Sequence, residues 1–226
     1  MDKKAITEVV SILREEIRKF DTPIVTKLAR KNNDPFIILV STVISSRTKD
    51  ETTRKVTEEL FKHIRTAKEL GTIDEEELAS LIFPAGFYRM KAKNLKRLGQ
   101  ELTTRFNGNV PDTIDELLSL PGVGRKTANL VLVEAFDKYG VCVDTHVHRI
   151  SNRLGFVKTK TPLETEREIR KKLPRNLWKE YNKILVAFGQ NICKPINPRC
   201  DTCPVNKLCE KVGVRSKYLS EVIEDD

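Results

Sequence analysis

The stretch that decides the fold is Leu120-Pro121-Gly122-Val123-Gly124-Arg125-Lys126-Thr127-Ala128. Two glycines separated by one residue allow positive φ and a close approach of the backbone, so this hairpin can present bare N–H groups. A helix is predicted from Arg125 onward, and the positive end of its dipole favours an anion beside the hairpin. The stretch therefore predicts a phosphate-holding hairpin between two helices, with a simple turn as the open alternative.

Two further residues give this hairpin a chemical interpretation. Lys126 falls on the first turn of the predicted helix, and Asp144 follows within Val143-Asp144-Thr145-His146. Cationic surroundings disfavour an ammonium, which favours use of the amine as a nucleophile. The ordinary readings are a solvated lysine and an aspartate that caps a helix. An extended connector after the helix has the length to bring Asp144 back toward Lys126, so their meeting is feasible, although spacing alone does not require it.

Size and charge limit the classes of function. The chain has 226 residues, enough for one substantial core or two small lobes, and a formal net charge of +9. That charge favours an anionic polymer as partner, nucleic acid before a membrane surface. No apolar run approaches the roughly 20 residues of a membrane span, and the N-terminus lacks a signal-peptide core. We expect a monomeric intracellular protein, in the cytoplasm or nucleoid, with no membrane partner.

The hydrophobic pattern is almost entirely helical, and strand signals are too few for a sheet. Thr113 and Glu116 have the spacing of a capping box before an apolar run, and Gly140 is expected to end the helix that begins at Arg125. The sequence therefore predicts an all-α protein. The clearest predicted helices cover 36–44, 50–64, 92–106, 125–139 and 178–188.

Four of the five cysteines lie close together near the C-terminus, as Cys193, Cys200, Cys203 and Cys209. Thiols spaced in this way in an intracellular protein most often bind metal, and disulfides are less expected. The spacing by itself leaves zinc and a [4Fe–4S] cluster equally open. Lys194 and Arg199 lie between the cysteines, where a fixed loop would present cations to a phosphate backbone. The fifth cysteine, Cys142, is expected to be a buried hydrophobic residue.

Taken together, these motifs closely resemble the endonuclease III family of DNA glycosylases in the helix-hairpin-helix superfamily. The matching segments are 120–128, 143–146 and the cysteine run 193–209, with further similarity at 45–50 and 86–94. The resemblance therefore covers nearly the whole chain. Because the cysteine spacing is specific within that family, the resemblance implies a [4Fe–4S] cluster held by the four cysteines.

The resemblance also implies a two-lobed architecture. Residues 28–137 would form a six-helix lobe containing the hairpin, and residues 1–27 with 138–226 would form the iron–sulfur cluster lobe. Double-stranded DNA containing a damaged base or an AP site would lie in the groove between the lobes. The damaged base would be flipped out of the duplex, since an enzyme cannot reach the sugar C1′ inside the stack.

The activity implied is that of a bifunctional glycosylase and AP lyase acting on oxidised or ring-saturated pyrimidines. Lys126 matches the family nucleophile, whose neutral amine attacks C1′ and forms a Schiff base. Asp144 matches the family carboxylate, which activates the amine or stabilises positive charge on the sugar. β-Elimination then cuts the strand. The hairpin residues Gly122, Val123 and Gly124 would contact a phosphate of the DNA.

One position departs from the family pattern. Arg47 stands where the family usually has a glutamine that fills the gap left by the flipped base. An arginine is longer, carries charge and can donate to a guanine edge, so we predict that Arg47 fills the gap and shifts opposite-base preference. A surface arginine bound to a phosphate is the alternative.

Two other functions stay open at this stage. The first is a monofunctional thymine or uracil mismatch glycosylase of the same fold, and the second is a non-catalytic DNA-binding module. Relatives of the first kind often lack the lysine at the position of Lys126, and a binding module needs neither Lys126 nor Asp144. The presence of both residues favours the bifunctional enzyme.

Overall fold

The computed structural model describes residues 1–20, 25–26 and 34–214, and within them the secondary structure is helical with no strand. The predicted all-α fold is confirmed. The α-helices described from end to end are α1 (Lys3–Glu16), α2 (Pro35–Ser45), α3 (Asp50–His63), α4 (Ala67–Thr72), α5 (Glu75–Ile82), α6 (Tyr88–Arg105), α7 (Ile114–Ser119), α8 (Arg125–Phe136), α9 (Thr145–Arg153), α10 (Pro162–Lys172) and α11 (Trp178–Asn191). Short 3₁₀ turns lie at Ile17–Lys19, Arg175–Leu177 and Asn206–Leu208.

The chain divides into two compact units. One is Thr22–Gly140, called the hairpin unit below; the other joins Met1–Asp21 to Val141–Asp226 and is called the cysteine unit. Each unit has its own hydrophobic core. The glycine hairpin belongs to the first unit and the four clustered cysteines to the second.

The hairpin unit is built around the apolar helix α2. Asp34 caps this helix by accepting from the Phe36 N–H at 2.8 Å, and Pro35 occupies its first turn. Helices α4 and α6 approach so closely that a side chain at Gly99 would collide with the backbone of Gly71. This packing fixes α6, which supports the site residues. Buried side chains of the core include Leu39, Val43, Leu60, Leu95, Leu98 and Val131.

The cysteine unit packs α1 and α9 against α11. One face of α1 is fully buried, and Arg14 on its edge donates through Nε to Glu180 at 2.9 Å. Tyr181 is buried and shares a hydrogen bond of 3.0 Å with Ser151 across α9 and α11. These contacts hold α9 and the end of α11, between which the cysteine run folds.

Several predicted helix boundaries were wrong. Helix α8 ends at Phe136 rather than at Tyr139, because Asp137 adopts a left-handed conformation with φ 51 and closes the helix; Gly140 is not its stop. Thr113 caps α7, but Glu116 does not complete the capping box that the spacing suggests. Its carboxylate accepts from the Thr113 hydroxyl, at 2.5 Å, and not from the Thr113 backbone N–H. A reciprocal capping box lies elsewhere, at Thr66 and Glu69. Helix α6 begins four residues before the predicted start at 92, and α11 extends three residues beyond 188.

Candidate functional site

The glycine hairpin packs against helix α6 on one side and is exposed on the other. Gly122 has φ +76, a conformation that favours glycine, and a Cβ there would lie 3.2 Å from the Cβ of Asn94 on α6. The side chain of Val123 is 7% exposed, and its N–H closes the turn on the Leu120 carbonyl at 3.2 Å. Gly122 and Gly124 are exposed. The buried Val123 therefore holds the turn, while the two glycines offer backbone to a ligand.

The N-terminus of α8 continues the same surface. Gly124 is its N-cap, the first turn carries no acidic residue, and Arg125 and Lys126 are both exposed. The helix has 12 residues, long enough for a well-developed dipole whose positive end lies at the hairpin. Backbone N–H groups, helix dipole and two cations thus all favour an anion at this point. Lys126 lies within one helical turn of it.

Asp144 lies at a helix start in the cysteine unit. It is the N-cap of α9, and its Oδ1 accepts from the N–H groups of His146 and Val147, both at 2.9 Å. The residue is half-buried. These bonds confirm the capping role that the sequence offered as the ordinary reading of Asp144. A catalytic role remains compatible with it, because the cap fixes the direction of the carboxylate. Lys126 belongs to the other unit, so the meeting of the two side chains stays a prediction.

Arg47 occupies the short segment between α2 and α3 in an uncommon backbone conformation. Its φ is 53, the side chain is exposed, and Cζ lies 5.5 Å from the ring centroid of Phe87. Phe87 also has positive φ, at 57, and is 57% exposed. The pair forms an exposed cation–π contact in the hairpin unit. Sequence reasoning missed Phe87, although it lies in the segment 86–94 that contributed to the family resemblance.

Beneath Arg47 lies a buried lysine that sequence reasoning also missed. Lys91 on α6 is 6% exposed, and its Nζ donates to the Ile44 carbonyl at 2.6 Å, the Ser46 carbonyl at 2.6 Å and Thr48 Oγ1 at 2.9 Å. Burial lowers the pKa of Lys91 to about 8. Nothing in the local sequence distinguishes this residue from a surface lysine.

The structure brings the four clustered cysteines together. Cys193, Cys200, Cys203 and Cys209 all line one cavity of about 400 Å³, its open side included. Within the described ranges, no three His, Cys, Asp or Glu side chains are grouped to hold a single metal ion. Four thiols on the wall of one cavity are the ligand set that a [4Fe–4S] cluster requires, so the residues present fit that group.

Hydrogen-bond donors point at these sulfurs. Arg153 Nη1 donates to Cys193 Sγ at 3.5 Å, and the Lys211 N–H donates to Cys209 Sγ at 3.4 Å. The Cys203 sulfur accepts from a backbone N–H, while burial raises the pKa of this thiol to about 11. N–H donors around thiolates are typical of iron–sulfur sites, where they adjust the cluster's potential.

Two arginines of α9 hold the loop that starts the cysteine run. Arg149 donates to the Cys193 carbonyl at 2.7 Å, and Arg153 donates to the carbonyls of Lys194 and Pro195 at 2.7 and 2.8 Å. The side chains of Lys194 and Arg199 are exposed. The loop is therefore fixed from inside while its cations face solvent.

Cys142 is buried and is not among the residues that line this cavity. Its carbonyl accepts from Asn182 Nδ2 at 3.1 Å.

Every helix in the part of the chain that the structure describes is too short or too polar to traverse a bilayer.

Comparison with known proteins identifies close relatives. Residues 40–175 match the family model of the HhH-GPD superfamily base excision DNA repair proteins. The chain is 48% identical over 209 residues to endonuclease III of Thermotoga maritima, an alignment that covers 92% of this chain and 95% of the relative.

Solved structures of DNA repair proteins also resemble this chain over most of its length. A trapped endonuclease III–DNA covalent intermediate, in an estranged-adenine complex, superposes with a TM-score of 0.85 at 35% identity, covering 93% of this chain and 97% of that one. A thermostable thymine-DNA glycosylase superposes with a TM-score of 0.78 at 25% identity, covering 92% and 96%. The similarity thus extends over nearly the whole length of each protein.

Proposed function

Because the chain belongs to the HhH-GPD superfamily of base excision DNA repair proteins and has a DNA glycosylase and AP lyase role, we propose that Lys126 is its nucleophile. The observation that carries this proposal is the position of Lys126, exposed on the first turn of α8 directly beside the glycine hairpin. A phosphate held by the hairpin brings the neighbouring sugar to this amine, which replaces a bimolecular encounter by a fixed geometry.

The proposed reaction proceeds in two steps. The neutral amine of Lys126 forms a bond to C1′ while the bond from C1′ to the damaged base breaks, and the base departs with that electron pair and takes up a proton. The C1′–O4′ bond then breaks and O4′ takes up a proton, while the lone pair of the lysine nitrogen forms the second bond to C1′, which gives a protonated Schiff base. Loss of a proton from C2′ then expels the 3′ phosphate by β-elimination, which cuts the strand. We propose oxidised or ring-saturated pyrimidines as the bases removed.

Asp144 is proposed to support this chemistry as a carboxylate held in one orientation by its cap bonds. The N–H groups of His146 and Val147 bind Oδ1 and so limit rotation of the group. A carboxylate fixed beforehand stabilises positive charge on the sugar, or accepts a proton from the amine, without reorganisation during the reaction.

We further propose that each of the two lobes expected from the sequence supplies different residues to the site. The lobes are residues 28–137 and residues 1–27 with 138–226. The first supplies the phosphate grip through Gly122 and Gly124, and the nucleophile. The second supplies Asp144 and the cysteines. DNA with a damaged base or AP site would bind one protein monomer, with the damaged nucleotide extruded toward Lys126.

The four clustered cysteines are proposed to hold a [4Fe–4S] cluster. The support is the shared cavity wall together with the N–H donors that reach the sulfurs of Cys193, Cys203 and Cys209. When bound, such a cluster would supply four strong metal–thiolate bonds that tie the loop together. Lys194 and Arg199, exposed on that loop, would then contact the phosphate backbone.

Arg47 is proposed to fill the gap that the extruded base leaves in the duplex. Its support is the exposed side chain, held out from the surface beside Phe87. A guanidinium in that gap can donate two parallel hydrogen bonds to a guanine edge, so it would change the preference among opposite bases.

Borohydride trapping tests the proposed function. Duplexes carrying an oxidised pyrimidine are incubated with the protein and borohydride, which reduces a Schiff base to a stable covalent adduct. An adduct together with a strand break supports the bifunctional enzyme. The similarity to a thymine-DNA glycosylase makes a thymine–guanine mismatch the second substrate to assay. Release of thymine without an adduct would instead favour the monofunctional mismatch enzyme, and binding without base release would favour the non-catalytic module.

A further inference from the structure

We propose that Lys91 is a positioning residue for Arg47: its buried ammonium fastens the segment 45–49 to helix α6 and so holds Arg47 outward for opposite-base recognition. This inference rests on the proposed role of Arg47 and extends it to a residue that does not contact DNA. It makes opposite-base preference depend on a buried hydrogen-bond centre below the protein surface.

The first support is the set of groups that Lys91 binds. Its Nζ donates to the carbonyls of Ile44 and Ser46, which lie at the C-terminal end of α2. The last carbonyls of a helix lack intrahelical partners and carry the negative end of the dipole. An ammonium therefore stabilises this helix end from outside the helix, and it does so directly before Arg47.

The second support is the continuation of these bonds through Thr48. Thr48 Oγ1 accepts from Lys91 Nζ at 2.9 Å and also from the N–H of Gly86 at 3.1 Å. A side chain at Gly86 would overlap the carbonyl of Arg47. The segment 45–49 and the turn before α6 are thus joined on both sides of Arg47, which brings Phe87 under its guanidinium.

An apolar side chain at position 91 would not replace the ammonium, because it would leave the carbonyls of Ile44 and Ser46 without this donor. Burying an ammonium carries a desolvation penalty, shown here by the lowered pKa of Lys91, and its three hydrogen bonds offset that penalty. Those bonds reach oxygens on both sides of Arg47, a residue with positive φ. The strained conformation of Arg47 needs such support, because left-handed backbone is unfavourable for a residue with a side chain.

Helix α6 contacts both the Arg47 segment and the glycine hairpin. Lys91 holds the Arg47 segment, and Asn94, one turn further along, lies against Gly122 of the hairpin. The spacing between the phosphate grip and Arg47 is therefore set by one rigid helix. Replacing Lys91 therefore breaks the attachment of α6 to the Arg47 segment and leaves its contact with the hairpin in place.

The test is a double-mutant cycle on opposite-base preference. Single-turnover excision of one oxidised pyrimidine is measured opposite each of the four bases for wild type, Arg47→Gln, Lys91→Met and the double variant. We expect Lys91→Met to reduce the ratio between preferred and disfavoured opposite bases by roughly tenfold, as displacement of a positioning group does. In the Arg47→Gln background the same change should have little further effect, because coupled residues are non-additive.

Lys93→Met on the same helix is the matched control, since Lys93 is exposed and loses the same charge. It should keep the wild-type ratios. Thr48→Val is the second variant, because it removes the shared acceptor while retaining shape, and it should lower the ratio in the same direction as Lys91→Met. If Lys91→Met does not fold, Thr48→Val carries the test.

Trapping at a preformed AP site separates positioning from general damage. A Lys91→Met protein that has lost only the positioning of Arg47 should still form the borohydride adduct, since Lys126 is untouched, whereas a generally damaged protein should lose it. Wild-type ratios in both Lys91→Met and Thr48→Val, or an effect that multiplies independently with that of Arg47→Gln, would overturn the inference. An unchanged profile in Arg47→Gln would instead remove the proposed role of Arg47 itself, and a protein that excises no base would remove the proposed function.

Discussion

The guanidinium carbon of Arg47 lies 5.5 Å from the centre of the Phe87 ring. Both residues have left-handed backbone, with φ 53 for Arg47 and φ 57 for Phe87. Each such conformation costs on the order of 1 kcal/mol or more for a residue with a side chain. The two side chains nevertheless stay exposed. The cation–π contact therefore holds both side chains at the protein surface, where they are accessible to a ligand.

Phe87→Ala should weaken the opposite-base preference that depends on Arg47 by about two- to fivefold, because an exposed cation–π contact contributes about 0.5–1 kcal/mol. Single-turnover excision opposite each base measures this. Phe83→Ala is the control, since Phe83 is also exposed, at 62%, but its ring contacts Tyr88. Equal changes in the two variants would contradict a specific role for the stack.

Lys126→Ala should abolish the borohydride adduct and lower strand cleavage by on the order of a thousandfold or more, because it removes the nucleophile. The free energy of unfolding should change by less than about 0.5 kcal/mol, as for other exposed positions. Lys138→Ala, just beyond the C-terminal end of the same helix, should retain the adduct. Trapping that persists in Lys126→Ala would show that another amine attacks C1′.

Asp144→Asn and Asp144→Ala should separate capping from chemistry. Asparagine caps about as well as aspartate, so Asp144→Asn should keep the wild-type free energy of unfolding and still reduce base excision by roughly a hundredfold. Asp144→Ala should lose that activity and also about 1 kcal/mol of stability. Urea denaturation and single-turnover excision provide the two readouts. Normal excision by Asp144→Asn would leave capping as the only role of this residue.

Cys203→Ala should remove the visible absorption of a [4Fe–4S] cluster and lower the melting temperature, since one of the four proposed ligands is lost. Cys142→Ala is the matched control because this buried cysteine lies outside the cavity. It should keep the absorption and the iron and sulfide content, at a cost of about 1 kcal/mol in stability. A purified wild-type protein with one zinc and no sulfide would contradict the iron–sulfur assignment.

Lys91 should make the stability of the protein depend on pH. Its pKa falls from 10.5 in the unfolded chain to about 8 in the folded one, so the unfolded chain binds more protons between these values. The free energy of unfolding of wild type should therefore rise relative to Lys91→Met as pH increases from about 8 toward 10.5. Below this window the difference should be constant. Urea denaturation at a series of pH values measures it, and a difference that falls with rising pH would show the opposite linkage.

Much of the fold was predictable because local patterns determine helices. Helical spacing of apolar residues predicted the all-α fold, and turn chemistry predicted the hairpin at Gly122 and Gly124. The end of α8 was misplaced because a left-handed residue other than glycine, Asp137, closes the helix. Such a stop has a weak local signal, since aspartate is much less frequent than glycine at that position.

The candidate site was predictable only where its residues belong to one continuous motif. Lys126 follows the hairpin directly, and the cysteines occur as one run. Lys91 and Ile44, by contrast, are 47 residues apart and meet only in the folded protein. A lysine that will be buried has the same local sequence signals as one that will be solvated.

The sequence by itself determined the helical class, the glycine hairpin, the lysine beside it and the run of four cysteines, because each depends on residues close together in the chain. The tertiary structure alone decided that the thiols share one cavity wall, that Phe87 lies beneath Arg47, and that Lys91 ties the Arg47 segment to α6. The physical reason is packing. Desolvation and long-range hydrogen bonds act only once distant segments meet, and they give otherwise ordinary residues such as Lys91 a specific role.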